Sequence, residues 1–288
     1  MFYVLTLILG LILLYIPTKK LSIKFTDKKG LRAAFLTSLP EISIALISAF
    51  FGFKDILLGT LLGSSITLIF IGFGVPALIK EIDITYRDVG KKYLPLLVVV
   101  MILALILGKH MLLDKNLKIN NLESLFLVII SLYLLRKTSL PNLNKEVLFL
   151  LFFILIGALL STFSIYNLGL EWSISSYFLS FLILGFVCAL PEINLNIEKI
   201  EKTYLVETNV FFSVMINIAL LIPLCVIILD GITLSLQEFI DVIIVIFIVA
   251  FSFPFITGKD EKIDHNIALL LIFSYILYII SLIYINIL

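Results

Sequence analysis

The chain of 288 residues is 61% hydrophobic and only 14% charged, with a mean hydropathy of +1.20. A soluble domain carries about 25% charged residues, so this composition excludes one and points to an integral membrane protein. A net charge of +1 also argues against a nucleic-acid binder, which would present a basic face.

Apolar runs of about 15–25 residues, separated by charged clusters, predict ten spans. The opening run, MFYVLTLILGLILLYIPTKK, has no basic n-region and no small-residue cleavage site, so it reads as a retained span 1 at 2–16. Span 2, at 33–53, contains FLTSLPEISIAL, and span 3, at 57–79, carries Thr60, Ser64 and Thr67. Span 4, at 93–113, ends with Lys109 and His110, which can snorkel to the interface. Span 5, at 122–135, is short, and KTSLPNLNKE leads on to span 6 at 147–163. Span 7, at 174–197, contains FVCALPEINLNI, and span 8, at 205–229, carries Asn209, Ser213 and Asn217. Spans 9 and 10 fall at 239–256 and 267–288. Cys188 and Cys225 lie inside apolar runs and read as free thiols.

All lysines and arginines except Lys54, Lys109, Lys115 and Lys118 fall in the connections after spans 1, 3, 5, 7 and 9. The positive-inside rule then places both termini outside the cell. Trp172 is expected in an outer loop, at the interface.

Spans 2 and 7 share a feature that membrane segments rarely show. Each carries a proline followed at once by a glutamate, Pro40–Glu41 and Pro191–Glu192, with the glutamates 151 residues apart. Ser64 and Ser213, in the polar stripes that follow, are 149 apart. The chain therefore reads as two five-span halves, 1–140 and 146–288, whose motif regions cover about 33–79 and 174–229. Five is odd, so the second half enters the membrane from the opposite side. The expected fold is all-α: a polytopic membrane protein of about ten helices in two inverted-topology repeats, with helices 2 and 7 broken.

Pro40 cannot donate to the carbonyl of Leu36, nor Pro191 to that of Val187. Freed carbonyls at membrane depth are tolerated only inside protein or beside a cavity, and an ionised glutamate there is costly. Carboxylate, carbonyl and hydroxyl oxygens converging in one place form a ligand set for hard cations such as Na⁺ and Ca²⁺. Asn209, Ser213 and Asn217 are spaced by four, as are Ser64 and Leu68, so each set shares a helix face. The small residues of GTLLGSS allow helices to approach closely. The residues alone leave alternatives open. Ser64 and Ser213 fit packing as well as ligation, and the two glutamates fit protonated, hydrogen-bonded acids. His110 and His265 read as solvated. Asn194, Glu198 and Glu201 read as a solvated helix end or an inner cation vestibule. Glu207 reads as a charge favoured by the helix dipole. There is no GxxxxGK[ST] phosphate loop, which argues against ATP-driven pumping.

At this point the sequence resembles a known family. TSLPE at Thr37–Glu41, followed by GTLLGSSITL at Gly59–Leu68, is similar to the first α-repeat of the Ca²⁺/cation antiporter superfamily, which includes the sodium/calcium exchangers. CALPE at Cys188–Glu192, followed by TNVFFSVMIN at Thr208–Asn217, is similar to the second, in degraded form. The resemblance implies exchange of Na⁺ or H⁺ against Ca²⁺ by alternating access. It implies cation ligands at Glu41, Glu192, Thr37, Ser38, Ser64, Ser213 and Asn217, with the backbone carbonyl of Cys188. The chain also departs from the pattern. Leu68 stands where an asparagine or aspartate is usual, Asn217 where an aspartate is usual, and Cys188–Ala189 replace a Thr-Ser pair. Thr60 replaces the asparagine after Gly59, while Asn209 keeps its counterpart.

The expectation is thus a multi-pass protein of the cell membrane, a secondary antiporter and not an enzyme. It needs no cofactor, and its partners are inorganic cations and the lipid bilayer, with no nucleic acid. An intramembrane hydrolase, with two carboxyls sharing a proton, is the enzymatic alternative. Mirror-related prolines have no role in one. A divergent ion-binding membrane subunit without transport is the third reading, kept open by Leu68.

Overall fold

The computed structural model describes residues 1–25, 30–83, 86–110, 118–135, 145–256 and 262–287. The first half comprises α1 (Phe2–Phe25), α2 (Gly30–Thr37), α3 (Leu39–Phe50), α4 (Lys54–Ile79), β1 (Ile82–Asp83), α5 (Tyr86–Lys109), β2 (Lys118–Ile119) and α6 (Asn121–Leu135). The second begins with α7 (Lys145–Trp172) and α8 (Ser176–Leu179), continues through a π-helical segment Ser180–Gly185 into α9 (Phe186–Glu198), and then α10 (Thr203–Met215). A second π-helical segment, Ile216–Leu221, leads to α11 (Ile222–Ile228), β3 (Ile232–Thr233), α12 (Leu236–Ile256), β4 (Lys262–Ile263) and α13 (His265–Ile287).

Among the described residues, six helices are long and apolar enough to cross a membrane: Phe2–Ile23, Lys54–Ile79, Lys145–Trp172, Ser176–Glu198, Asn209–Ile228 and His265–Asn286. Leu39–Phe50, Val98–Lys109 and Asn121–Tyr133 are shorter apolar helices, and α12 supplies the remaining span. The ten spans thus each have a helix, in two inverted-topology groups of five. The connection after α6, residues 136–144, lies outside the described residues.

The two proline motifs behave differently. Span 2 is interrupted at Ser38, which separates α2 from α3 and leaves Pro40 in the first turn of α3. That position suits proline, because the first N–H groups of a helix have no partner within it. Span 7 runs as α9 straight through Pro191, and its irregular stretch is the π-helical segment at Ser180–Gly185. The break there is confined to the N–H that proline lacks.

Two spans are longer than their apolar runs. α1 continues through Pro17 to Phe25, since charged residues end a hydrophobic stretch without ending a helix. α7 continues past 163, because Ser161, Thr162 and Ser164 are buried helix residues and not a polar terminus. Ser164 meets Thr6 across 2.8 Å, and Gly10 and Gly157 bring the two helix backbones together, so a Cβ on Gly157 would lie 2.8 Å from the Gly10 carbonyl oxygen. Trp172 is accordingly the last residue of α7 and not a loop residue. His110 is also not solvated: it is 3% exposed and its Nε2 lies 2.8 Å from Glu123. His265 is exposed at the start of α13.

α4 forms the centre of the bundle and is buried along most of its length. Its core partners include Leu103, Phe181, Val210 and Val214, while α1, α3 and α7 share a second apolar cluster around Leu14, Ile44 and Ile154. The outward faces of α1 and α13 carry Leu5, Ile8, Leu9, Ile12, Phe273 and Leu277, an apolar surface suited to lipid. At one end of the bundle β1 pairs antiparallel with β4, and at the other β2 pairs with β3. Each ladder joins the connections of one half to those of the other.

Candidate cation-binding site

The site is built where α2–α3 and α9 pass α4 and α10. Helices can cross this closely because α4 offers glycine. A Cβ on Gly63 would lie 2.4 Å from the carbonyl oxygen of Phe181, and one on Gly185 would lie 2.7 Å from the carbonyl carbon of Gly63. Backbone therefore touches backbone beside Ser64, as small residues permit at membrane-helix crossings.

All eight residues singled out by the sequence, Thr37, Ser38, Glu41, Ser64, Cys188, Glu192, Ser213 and Asn217, are fully buried. The structure brings them into two groups. In the first, Glu41 and Glu192 are close enough to repel, and Cys188 lies beside both. The Ser38 hydroxyl donates to Oε1 of Glu192 across 3.0 Å. Thr37 and Ser213 also lie beside that carboxylate, although the Ser213 hydroxyl closes no hydrogen bond of standard geometry. In the second group, Asn217 Nδ2 donates to Oγ of Ser64 across 2.9 Å and approaches Oγ of Ser65 at 3.4 Å.

What marks the place chemically is a set of buried oxygens with no hydrogen-bond donor. Both carboxylate oxygens of Glu41, Oε2 of Glu192 and Oδ1 of Asn217 are in that condition. Buried polar atoms are nearly always satisfied, and each exception calls for a reason. Two carboxylates with no basic partner would be strongly unfavourable in a closed apolar interior. Buried oxygen lone pairs without donors are the kind of ligand a hard cation takes. Among the described residues no three His, Cys, Asp or Glu side chains are placed to hold a metal ion by themselves, so neutral oxygens would have to complete any ligand set.

One residue near the site was not singled out by the sequence reading. Asn196, 1% exposed, donates from Nδ2 to the Gly72 carbonyl and accepts at Oδ1 from Asn209 Nδ2 across 2.9 Å. Asn209 Oδ1 in turn accepts from Thr37 at 3.3 Å. The carbonyl at one end fixes the sense of the chain, since only the amide nitrogen can donate to it. Asn196 stands four residues after Glu192, on the same helix face, and that spacing is the signal which would have found it. Its neighbour Asn194 instead reaches the Tyr15 hydroxyl. Glu198 is exposed, and Glu201 pairs with Lys80. The side chain of Glu207 lies outside the described residues.

Leu68 is fully buried and brings no oxygen to the position four residues after Ser64. Thr60 is buried with its hydroxyl unsatisfied, and Thr67 bonds to Tyr275.

Residues 30–136 match the sequence profile of the family described as sodium/calcium exchanger protein. In structure, 97% of the chain matches 98% of the sodium-calcium exchanger NCX_Mj soaked with 10 mM Na⁺ and zero Ca²⁺, with a TM-score of 0.62 at 21% identity. The chain has the sodium/calcium exchanger fold. The same exchanger soaked with zero Na⁺ and Ca²⁺ gives a TM-score of 0.62 at 22% identity, again over 97% of this chain and 98% of that one. Soaked with 10 mM Na⁺ and 10 mM Sr²⁺, it gives 0.60 at 20% identity, over 96% and 97% of the two chains. No curated protein sequence matches. The resemblance read from the two Pro-Glu motifs thus holds in sequence over the first half and in exchanger fold over the whole chain.

Proposed function

We propose that this protein is a secondary cation antiporter of the cell membrane, exchanging Na⁺ or H⁺ for Ca²⁺ by alternating access. The observation that carries the reading is the pair of buried carboxylates, Glu41 and Glu192, three of whose four oxygens have no hydrogen-bond donor among the described residues. Glu41 and Glu192 supply the charge. Ser38, Thr37, Ser64, Ser213 and Asn217 supply neutral oxygens, and the backbone carbonyl of Cys188, a residue whose thiol lies beside both acids, completes the set. Cations are the substrate here, and no cofactor or covalent chemistry is needed. The two halves, 1–140 and 146–288, work as mirror partners, with both termini outside.

The exchange is tested by reconstituting the full chain in proteoliposomes and following labelled Ca²⁺ uptake against an outward Na⁺ gradient, then against a proton gradient. Uptake driven by either one is expected. No uptake under both gradients would remove the proposal.

A second reading is favoured by one observation. Leu68 is fully buried where a further oxygen ligand is expected from the resemblance, so a chain that binds a cation without carrying it is the alternative. Ca²⁺ binding with no flux under either gradient selects it.

A further inference from the structure

Asp241 is an intramembrane carboxylate that the cation site does not use. It lies in the second turn of α12 and is 2% exposed. Each oxygen accepts from one tyrosine: Tyr177 of α8 donates to Oδ2, and Tyr278 of α13 donates to Oδ1 across 2.7 Å. The nearest acid is Glu238, one turn earlier and also buried, which is held by Lys54 at 3.4 Å and by the Ser235 N–H at 2.6 Å. Lys54 is shared with Asp55 of α4. At the same end of α5, Lys109 and His110 pair with Glu123. The other titratable group on that face of α13 is Tyr275, which meets Thr67. Among the described residues no lysine, arginine or histidine pairs with Asp241.

A buried carboxylate held only by neutral donors is costly in its charged form, and an ionisable group at membrane depth is by default a functional one. We propose that Asp241 is a proton-binding site, separate from the Glu41–Glu192 pair, whose occupancy sets how firmly span 7 is held. The step is simple in atoms: a proton from water bonds to one carboxylate oxygen, and no other covalent bond changes. Oδ1 is the oxygen that takes it. Its partner Tyr278 is only partly buried, so that hydroxyl can reverse, accept from the new O–H and turn its own hydrogen outward. Tyr177 is 4% exposed and keeps its bond to Oδ2. That bond changes from charge-assisted to neutral and loses roughly half its strength.

The consequence reaches the cation site through the backbone. Tyr177 opens the span that leads through the π-helical segment into the Glu192 helix, and a Cβ on Gly59 of α4 would lie 2.4 Å from its carbonyl oxygen. Phe181, whose carbonyl oxygen lies against Gly63, has its ring 5.8 Å from that of Tyr278. Loading Asp241 therefore loosens the anchor of the helix that carries Glu192, and exchange slows.

Two measurements on the full chain test this. The first needs no transport: infrared difference spectra recorded across a pH jump. A protonated-carboxyl band is expected on acidification that is lost in Asp241→Asn, persists in Glu41→Gln and Glu192→Gln, and shifts in Tyr278→Phe. A spectrum unchanged by Asp241→Asn overturns the site. Should Asp241→Asn fail to insert, Tyr278→Phe decides alone, because it leaves the carboxyl in place and must still move the band. The second measurement rests on the antiport reading. At saturating Ca²⁺ the maximal rate falls as pH falls, and Asp241→Asn abolishes that fall, whereas protons competing at Glu41 and Glu192 raise KM and are overcome by Ca²⁺. A maximal rate equally sensitive to pH in Asp241→Asn overturns the link to span 7. The expected band in a protein without flux leaves the proton site standing and removes the transport reading instead.

Discussion

Ser38 hydrogen-bonds Glu192 across the interface of the two halves, 3.0 Å from hydroxyl to carboxylate. The relation is not reciprocated. Ala189 occupies the mirror position of Ser38 and has no hydroxyl to give Glu41, both of whose oxygens remain without a donor. Two acids at mirror-related positions thus meet unequal surroundings: one is held by a hydroxyl of the opposite half, and the other is not.

Glu41→Gln and Glu192→Gln are each expected to abolish exchange while leaving insertion intact, since an amide offers one acceptor and no charge. Both should also lose the thermal stabilisation given by Ca²⁺, about 2.7 kcal/mol at a hundredfold excess over Kd for a single site. Melting with and without Ca²⁺ reads this directly. Normal Ca²⁺ stabilisation in either variant would exclude that glutamate as a ligand.

Much of this was legible in the sequence because the constraints were severe. A proline and a glutamate side by side in an apolar run cannot be placed just anywhere in a membrane, and their repetition fixed the inverted architecture. The longer reach of α1 and α7 was not legible, because Ser161, Thr162 and Ser164 look like the end of a span until Gly10 and Thr6 are seen against them. Asn196 and Asp241 were missed for different reasons. Asn196 sat among polar residues that read as a solvated helix end, and Asp241 has no flanking proline and no repeated motif to single it out.

Leu68→Asn should add an oxygen four residues beyond Ser64 and so tighten or broaden cation binding. Asn217→Asp should add a charge, with Ser64 and Ser65 turning from acceptors of its amide into donors to its carboxylate. Competition of Na⁺ against labelled Ca²⁺ measures both. If neither affinity nor selectivity moves, α4 and the π-helical segment Ile216–Leu221 do not line the site.

Gly63→Ala should weaken the central crossing by about 1–3 kcal/mol, because the added methyl meets a backbone oxygen that no rotamer change can move. Gly108→Ala is the control, with nothing within 4 Å of its Cβ. Equal melting temperatures for the two variants would contradict the packing described.

Exchange should depend little on membrane potential. Glu41 and Glu192 give the site two formal negative charges, which one divalent or two monovalent cations balance equally well. A third monovalent cation would leave one charge to be moved through the field, at about 2.3 kcal/mol per 100 mV. Flux into vesicles clamped at a series of potentials distinguishes the cases, and a net current would show that a further ion is carried.

The two short ladders, Ile82 with Ile263 and Ile119 with Ile232, act as buckles, one at each rim of the molecule. Buckles at both rims oppose an opening like a book, with one half swinging from the other. They can still let an unbuckled part slide, and among the described residues α1 and α7 belong to neither ladder. Cysteines placed at Ile82 and Ile263, whose positions face each other across the ladder, should therefore be joined by oxidation with exchange preserved. A bond made in the same way between α1 and α3 should stop it. Those two outcomes together would place the route by which a cation reaches Glu41 at a seam beside the α1–α7 pair, and not at a cleft between the halves.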